Sequence, residues 1–591
     1  MLKKEIKNPF EYLTPESISA KSALDIFVDV FKEYYNVLNQ GNTFINGPRG
    51  SGKSMMFRIM KSDCQRLKLR KQLHDLKFYG IHVPVKDTSL NVTDLKILDG
   101  KHGANLFNEH FMVIYFAIVI FNSLKLEDYS KYPNVITEVR TFYNNFIKSK
   151  LVNSGYKEKI PTIKPSYSVN DIFQLIISIF EQIQSAFVKA YIIKLSDNIE
   201  PIPYSGPLFL YFDFLLPSIK EIKKFSFLPK APIYLMVDDA DELSLIQTQI
   251  LNSWVSFRTT AEVCFKISTI HLRYKSYHTI NGSKIDSPHD YFELDLNEIY
   301  TSNSKDKYYN RIKEIVEKRL KNAGIKNTTA EKFFPLNKKQ EDAIKEIFKK
   351  YKDEMGYDYA YRNARPDYMK NLSNKYTYSY SGFKQLVHLS SGIVRNFIDL
   401  SSKMYTRVIN DGLSYKVIPV SIQDQEIIDY SIKFLKSEFD KLHEDQGLTK
   451  DKLDRHKKLY NLIDSIGKVF RIILKSEAKD RRVFSFYFED EPDNQLNDVL
   501  KLGVIYNYFQ YSTLGSKTGL GRARLYILNR MLAPYYKLDP NNFSGYKYLG
   551  INSLHLAMSN PTSFMGKYKR GEFDSEEVSQ LYLFPEHQNE L

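Results

Sequence analysis

The sequence predicts an α/β fold: a nucleotide-binding parallel sheet broken by a large helical insertion, then a helical lid and a winged-helix-like C-terminal module. Three observations predict it. A strand-like TFIN runs into GPRGSGKS and on into the helical text MMFRIMKSDCQRLKL. Nearly continuous apolar segments alternate with helical text, as in a parallel sheet buried on both faces. Late in the chain, two alternating segments flank a Gly-rich, basic tip, which is hairpin text.

In chain order, the opening residues carry NPFEYL and then apolar positions at helical spacing, Ala23, Ile26, Phe27, Val30 and Phe31, an entry segment and an amphipathic helix. The strands expected after TFIN are GIHVPV (80–85), APIYLMVDD (231–239), EVCFKIST (262–269) and DYFELDL (290–296). A mostly helical insertion fills 90–229. Its apolar run FMVIYFAIVIFNSL (111–124) falls short of the roughly 20 residues that span a bilayer, so it reads as a buried helix and no membrane partner is expected. The lid is expected over 301–415 and ends in GFKQLVHLSSGIVRNFIDLSSKMY (382–405). The winged-helix-like module is expected over 416–570 and contains the hairpin GVIYNYFQYSTLGSKTGLGRARLYILN (503–529), and an acidic tail over 571–591 closes the chain. With the core over 1–300, these parts suit a chain of 591 residues, several times the usual domain length.

The net charge of +15 favours polyanionic partners without choosing among them. Cys64 and Cys264 are the only cysteines and have no metal-ligand spacing, which argues against a disulfide framework or zinc site. With no signal-peptide pattern in MLKKEIKNPFEYL, a cytoplasmic location is expected.

GPRGSGKS matches the phosphate-cradling loop G-x-x-x-x-G-K-[ST]. Gly47, Pro48, Arg49, Gly50, Ser51 and Gly52 would turn backbone N–H groups onto the phosphates of ATP, with Met55 beside them. Lys53 would reach the β and γ oxygens, and Ser54 would ligate Mg²⁺. The helix that follows aims its N-terminus at the same anion. A carboxylate should stand at the end of a neighbouring buried strand, and IYLMVDD supplies two. Asp238 is assigned to the metal and Asp239 to the attacking water.

GPRGSGKS, then MVDDADEL, FKIST, LSSGIVRNF and winged-helix-like text, in that order, resemble an AAA+ ATPase of the origin-recognition and replication-initiator branch, particularly its divergent prokaryotic relatives. The insertion stays outside the resemblance. The resemblance implies a γ-phosphate sensor at Thr269, or Ser268 beside it, and a lid arginine at Arg395. It implies an arginine finger donated to a neighbouring subunit of a homo-oligomer, for which Arg273 is the candidate and Arg258 the rival. Where the family usually has Glu, this chain has Asp239. The shorter acid would leave a water about an ångström out of reach, which can cost about a hundredfold in rate. Slow turnover is therefore expected, and Asp239→Glu should raise or preserve it.

For nucleic acid, Lys517, Arg522 and Arg524 in the hairpin suit phosphate contacts. The preceding QLNDVLKL, in the place of a recognition helix, lacks a base-reading face. The tyrosine-rich stretch 351–383 reads mainly as a loop packing on its own domain. Three functions compete: an ATP-driven switch that binds DNA, a signalling or antiviral-defence ATPase whose nucleotide state gates an effector protein, and a nucleotide-holding scaffold with negligible turnover.

Overall fold

A computed structural model of the protein describes residues 7–11, 14–28, 34–86, 103–192, 204–296, 305–372, 377–444, 449–476, 481–515, 522–541 and 545–572. Five strands form the first sheet: β1 (Thr43–Asn46), β2 (Tyr79–Pro84), β3 (Ile233–Asp238), β4 (Val263–Thr269) and β5 (Phe292–Asp295). All are parallel, in the order β2-β3-β4-β1-β5. The register sets Asn46 beside Thr269 and Pro84 beside Asp238, so the C-terminal ends of four strands open along one edge. Ligands of open α/β sheets bind along that edge.

Strand periodicity explains the two faces. Ile81, Val83, Leu235, Val237, Phe265 and Ile267 share one buried cluster with Phe111, Phe121, Phe173 and Phe180 of the insertion. The alternate residues Ile45, Tyr234, Met236 and Cys264 pack instead with Met56, Phe57 and Met60 of the helix after the phosphate loop, and with Ile18 and Ala23. The insertion, together with the helix Leu245–Ser256, thus supplies one layer of the α/β sandwich. Its long helices, Ala104–Lys125 and Val169–Ile192, pass by length and apolarity as membrane-spanning candidates. In the first, 72% of the apolar window lies inside the protein, as the sequence expectation of a buried helix requires. Residues 90–102 lie outside the described residues.

The second sheet contains β6 (Val483–Phe488), β7 (Phe509–Gly515), β8 (Arg522–Leu528) and β9 (Gly545–Tyr548), in the order β7-β8-β6-β9. The expected hairpin is present as the antiparallel pair β7–β8, and β9 joins β6 in parallel. A helix-turn-helix needs two helices, whereas a single one, Asn494–Ile505, lies between β6 and β7. It is the helix expected from QLNDVLKL, and its apolar residues Leu496, Val499 and Leu500 are buried. Asp498 pairs with Arg455 at 3.3 Å. The module therefore has the hairpin of a winged helix, with one helix between β6 and β7.

Two further expectations change. The tyrosine-rich stretch is largely a helix, Tyr357–Asn371, with Pro366 inside it, packed against the helix Lys338–Met355. Arg365 from one helix forms a two-pronged pair with Glu341 of the other, 2.9 Å on each prong. The boundary expected near 415 separates no cores, because Phe334, Phe397, Ile427, Phe470, Phe486 and Leu528 lie in one cluster running through lid and C-terminal module. Phe10 and Val28 belong to it as well, so the opening segment is shared between lid and core. Val30, Phe31 and the acidic tail beyond residue 572 lie outside the described residues.

Candidate nucleotide site

The site begins with backbone geometry that the glycines permit. Gly50 and Gly52 take φ of 84° and 109°, and Gly52 stands at the N-cap of the helix Lys53–Met60. L side chains rarely accept such angles. At Gly50 space is also short, since an added Cβ would lie 2.5 Å from the Cβ of Arg395. The Arg395 N–H donates to the Gly50 carbonyl at 3.1 Å. The loop and the lid helix Val394–Asn410 are therefore in backbone contact.

Lys53 is buried and donates to the carbonyls of Gly47 (2.7 Å) and Pro48 (3.1 Å). Burial pulls its ammonium below the ordinary lysine range, and Asp238, Asp239 and Asp241 oppose the shift. Asp238, at the end of β3, is buried too. Burial alone would raise its carboxyl, but hydrogen bonds from His82, Ser268 and Ser54 hold it below the usual range. An ionised carboxylate sharing a hydrogen bond with the Ser54 hydroxyl is a hard oxygen pair that fits Mg²⁺. His82 Nε2 meets Asp238 Oδ2 at 3.1 Å, and Glu16, His82 and Asp238 bring potential ligand atoms within 4.8 Å of one another.

Asp239 follows in a left-handed conformation, φ 55°, with its N–H donating to Ser268 Oγ at 3.0 Å. Burial raises its carboxyl, and the neighbouring charges of Asp238 and Asp241 raise it further. A half-buried carboxyl made more basic in this way suits a proton acceptor.

These groups border a cavity of about 220 Å³. Residues Arg49 to Met55, Asp239 and Arg395 supply most of its polar lining. Ile26, Phe27, Val28, Ile315, Val394 and Ile398 supply apolar lining of the kind that takes a flat ring. Pro15, Met56, Lys86 and Arg319 complete the lining. Sequence reasoning missed the role of these residues, although Ile26 and Phe27 stand out as part of an apolar helix face. His82 was also missed, though it is an imidazole within an otherwise apolar strand.

The remaining expected residues fall as follows. Ser268, not Thr269, turns its hydroxyl to Asp238. Thr269 is the next residue on the strand, so it faces the other way and donates to the Ile270 carbonyl at 3.3 Å. Arg273, expected as the finger for a neighbour, stands beside two acids of its own chain. Its guanidinium is held within its own chain by Asp241 at 3.2 Å and Glu242 at 2.9 Å, and Arg49 joins Glu242 at 3.0 Å. The rival Arg258 pairs with Asp290 at 3.3 Å. In the hairpin, Arg524 pairs with Glu491 at 2.6 Å. Arg522 begins β8, but its side chain, like the whole of Lys517, lies outside the described residues.

No curated protein matches the chain. Among solved structures it is similar to one titled crystal structure of Cdc6p from Pyrobaculum aerophilum, at 10% identity over 90% of this chain and 97% of that one, with a TM-score of 0.27. The ORC-CDC6-like family model matches residues 8–357 and 349–547, taking in the sheet, the nucleotide site, the lid and most of the C-terminal module, and the chain belongs to the ORC-CDC6-like family.

Proposed function

We propose that this ATP-binding AAA+ protein is a slow ATP-hydrolysing switch that holds DNA through the β7–β8 hairpin of its C-terminal module. The observation that carries the reading is the convergence of Lys53, Ser54, Asp239 and Arg395 on one cavity, with Asp238 bonded to Ser54. Loop amides and Lys53 hold the phosphates, and Ser54 with Asp238 would hold Mg²⁺, which when bound neutralises phosphate charge. Asp239 accepts the proton of the water that attacks the γ-phosphorus. The bond to the bridging oxygen of ADP breaks as the new P–O bond forms. Arg395 supplies positive charge to the equatorial oxygens and carries the change into the lid. Two free, buried cysteines agree with a reducing cytoplasm.

Rates of ATP hydrolysis with and without duplex DNA, at two salt concentrations, test the reading. DNA affinity should fall as salt rises. Replacing Lys517, Arg522 and Arg524 together by Ala should flatten the log–log slope by about 2 to 3, near 0.9 for each phosphate that is no longer neutralised. An unchanged slope rejects DNA binding by the hairpin.

The Arg524–Glu491 pair and the single helix before the hairpin favour a second reading, in which the module gates an effector protein in signalling or antiviral defence. Under it, salt and the triple replacement leave DNA binding negligible throughout, while nucleotide state still changes capture of the effector.

A further inference from the structure

The lid turn just before Arg395 is fastened to the C-terminal sheet. Ser391 is buried with φ 53°, and Gly392 follows at 75°. The Ser391 hydroxyl donates to Asn529 Oδ1 at 3.0 Å and accepts the Arg530 N–H at 2.7 Å. Its carbonyl accepts from the Gln510 side chain, which comes from β7. Asn529, directly after β8, is itself tied back to the Tyr508 carbonyl at 2.9 Å and to that of Asn507 at 2.6 Å. Four residues beyond Ser391, Arg395 meets Gly50 of the phosphate loop. A second contact runs alongside: Tyr511, next on β7, stacks on His271, two residues past β4, with ring centroids 5.6 Å apart. The root of one hairpin thus touches the turn that aims Arg395 and the segment leaving the strand that carries Ser268.

We propose that Gln510 and Asn529 are positioning residues for Arg395, so that the β7–β8 hairpin sets how tightly the lid arginine reads the γ-phosphate. The inference rests on the ATP-switch reading and adds the route by which the C-terminal module acts on the site. The turn is buried and hydrogen-bonded on both sides, so a displacement of the hairpin root moves Ser391 instead of being absorbed by solvent. Arg395 and Ser391 flank a single turn, so its pose follows.

The test is a double-mutant cycle read as the ratio of ATP to ADP affinity, with fluorescent analogues and full-length protein. Ser391→Gly keeps the left-handed backbone and removes the hydroxyl. Gln510→Met keeps the length and removes the donor, serving as the second variant should the first fold poorly. Each should lower ATP-over-ADP preference about tenfold, the worth of one hydrogen bond to a charged group. In the Arg395→Ala background neither should lower it further. Ser391→Asn, polar and tolerant of positive φ, should recover part of the preference lost in Ser391→Gly. An additive loss beyond Arg395→Ala, or an unchanged preference in both single variants, overturns the proposal while leaving the ATP switch standing. Parent protein that binds ATP no better than Lys53→Ala overturns both.

Discussion

Asp239 carries the sharpest conflict between residue chemistry and backbone. As a substitute for the family's usual Glu it is one methylene short, yet it sits at φ 55°, which Asp and Asn tolerate better than Glu does. Asp239→Asn should therefore fold like the parent and lose about a hundredfold in turnover, measured by phosphate release. The expectation that Asp239→Glu raises or preserves hydrolysis now meets a backbone cost of about 1–2 kcal/mol. Calorimetry should show that cost as a lower Tm. Gly50→Ala should weaken ATP binding at least tenfold, because its Cβ would have to occupy the space of Arg395 and φ 84° is strained for Ala. His110 gives a pH signature. It is fully buried, accepts the Phe209 N–H at 2.9 Å, and burial pulls its imidazole down to about 4 from the ordinary 6.5. Its folded pKa is depressed, so the unfolded chain takes up the proton first, and stability is present above pH 6.5 and lost as pH falls towards 4. That loss is of the order of 3 kcal/mol. In His110→Asn the amide oxygen stands where Nδ1 does, so the gap between urea midpoints at about pH 7 and about pH 5 should shrink relative to the parent.

At the scale of elements, the strands were legible because their apolar runs end in punctuation that chemistry demands: TFIN in the phosphate loop, IYLMV in two carboxylates. The tyrosine helix was not legible. Pro366 and the aromatic density of 357–371 argue for a loop, and the competing force is tertiary. Its inner side is held by Arg365 on Glu341 and by Asp367 on Arg481, 2.7 Å apart. Arg481 is almost wholly buried, with its side chain 2% exposed, so Asp367→Ala leaves a buried cation without its carboxylate. It should destabilise the lid and C-terminal body by about 3 kcal/mol, seen as a lower urea midpoint of the transition followed by tyrosine fluorescence. The expected sensor at the end of β4 was legible only as a pair of hydroxyls. Which one meets Asp238 depends on which face of the strand looks into the site, and a strand's alternation does not state its own phase.

Over the whole molecule, segments remote in sequence are packed as units. The insertion and one face of the sheet share a hydrophobic cluster, and the lid, the C-terminal module and the residues around Phe10 share another. The candidate nucleotide cavity lies where these bodies meet, which is why its lining draws on Ile26 to Val28 and Ile315 as well as on the loop. The sequence by itself determined the α/β class, the phosphate loop, the acid pair and the family resemblance, because each depends on residue types at short, fixed spacings along the chain. Only the tertiary structure decided that Ser268 meets Asp238, that Arg273 is tied within its own chain, that Arg395 rests on Gly50, and that the hairpin root grips the turn before it. Those choices turn on which faces and loops meet across hundreds of residues, and that is set by packing a common core rather than by any local pattern.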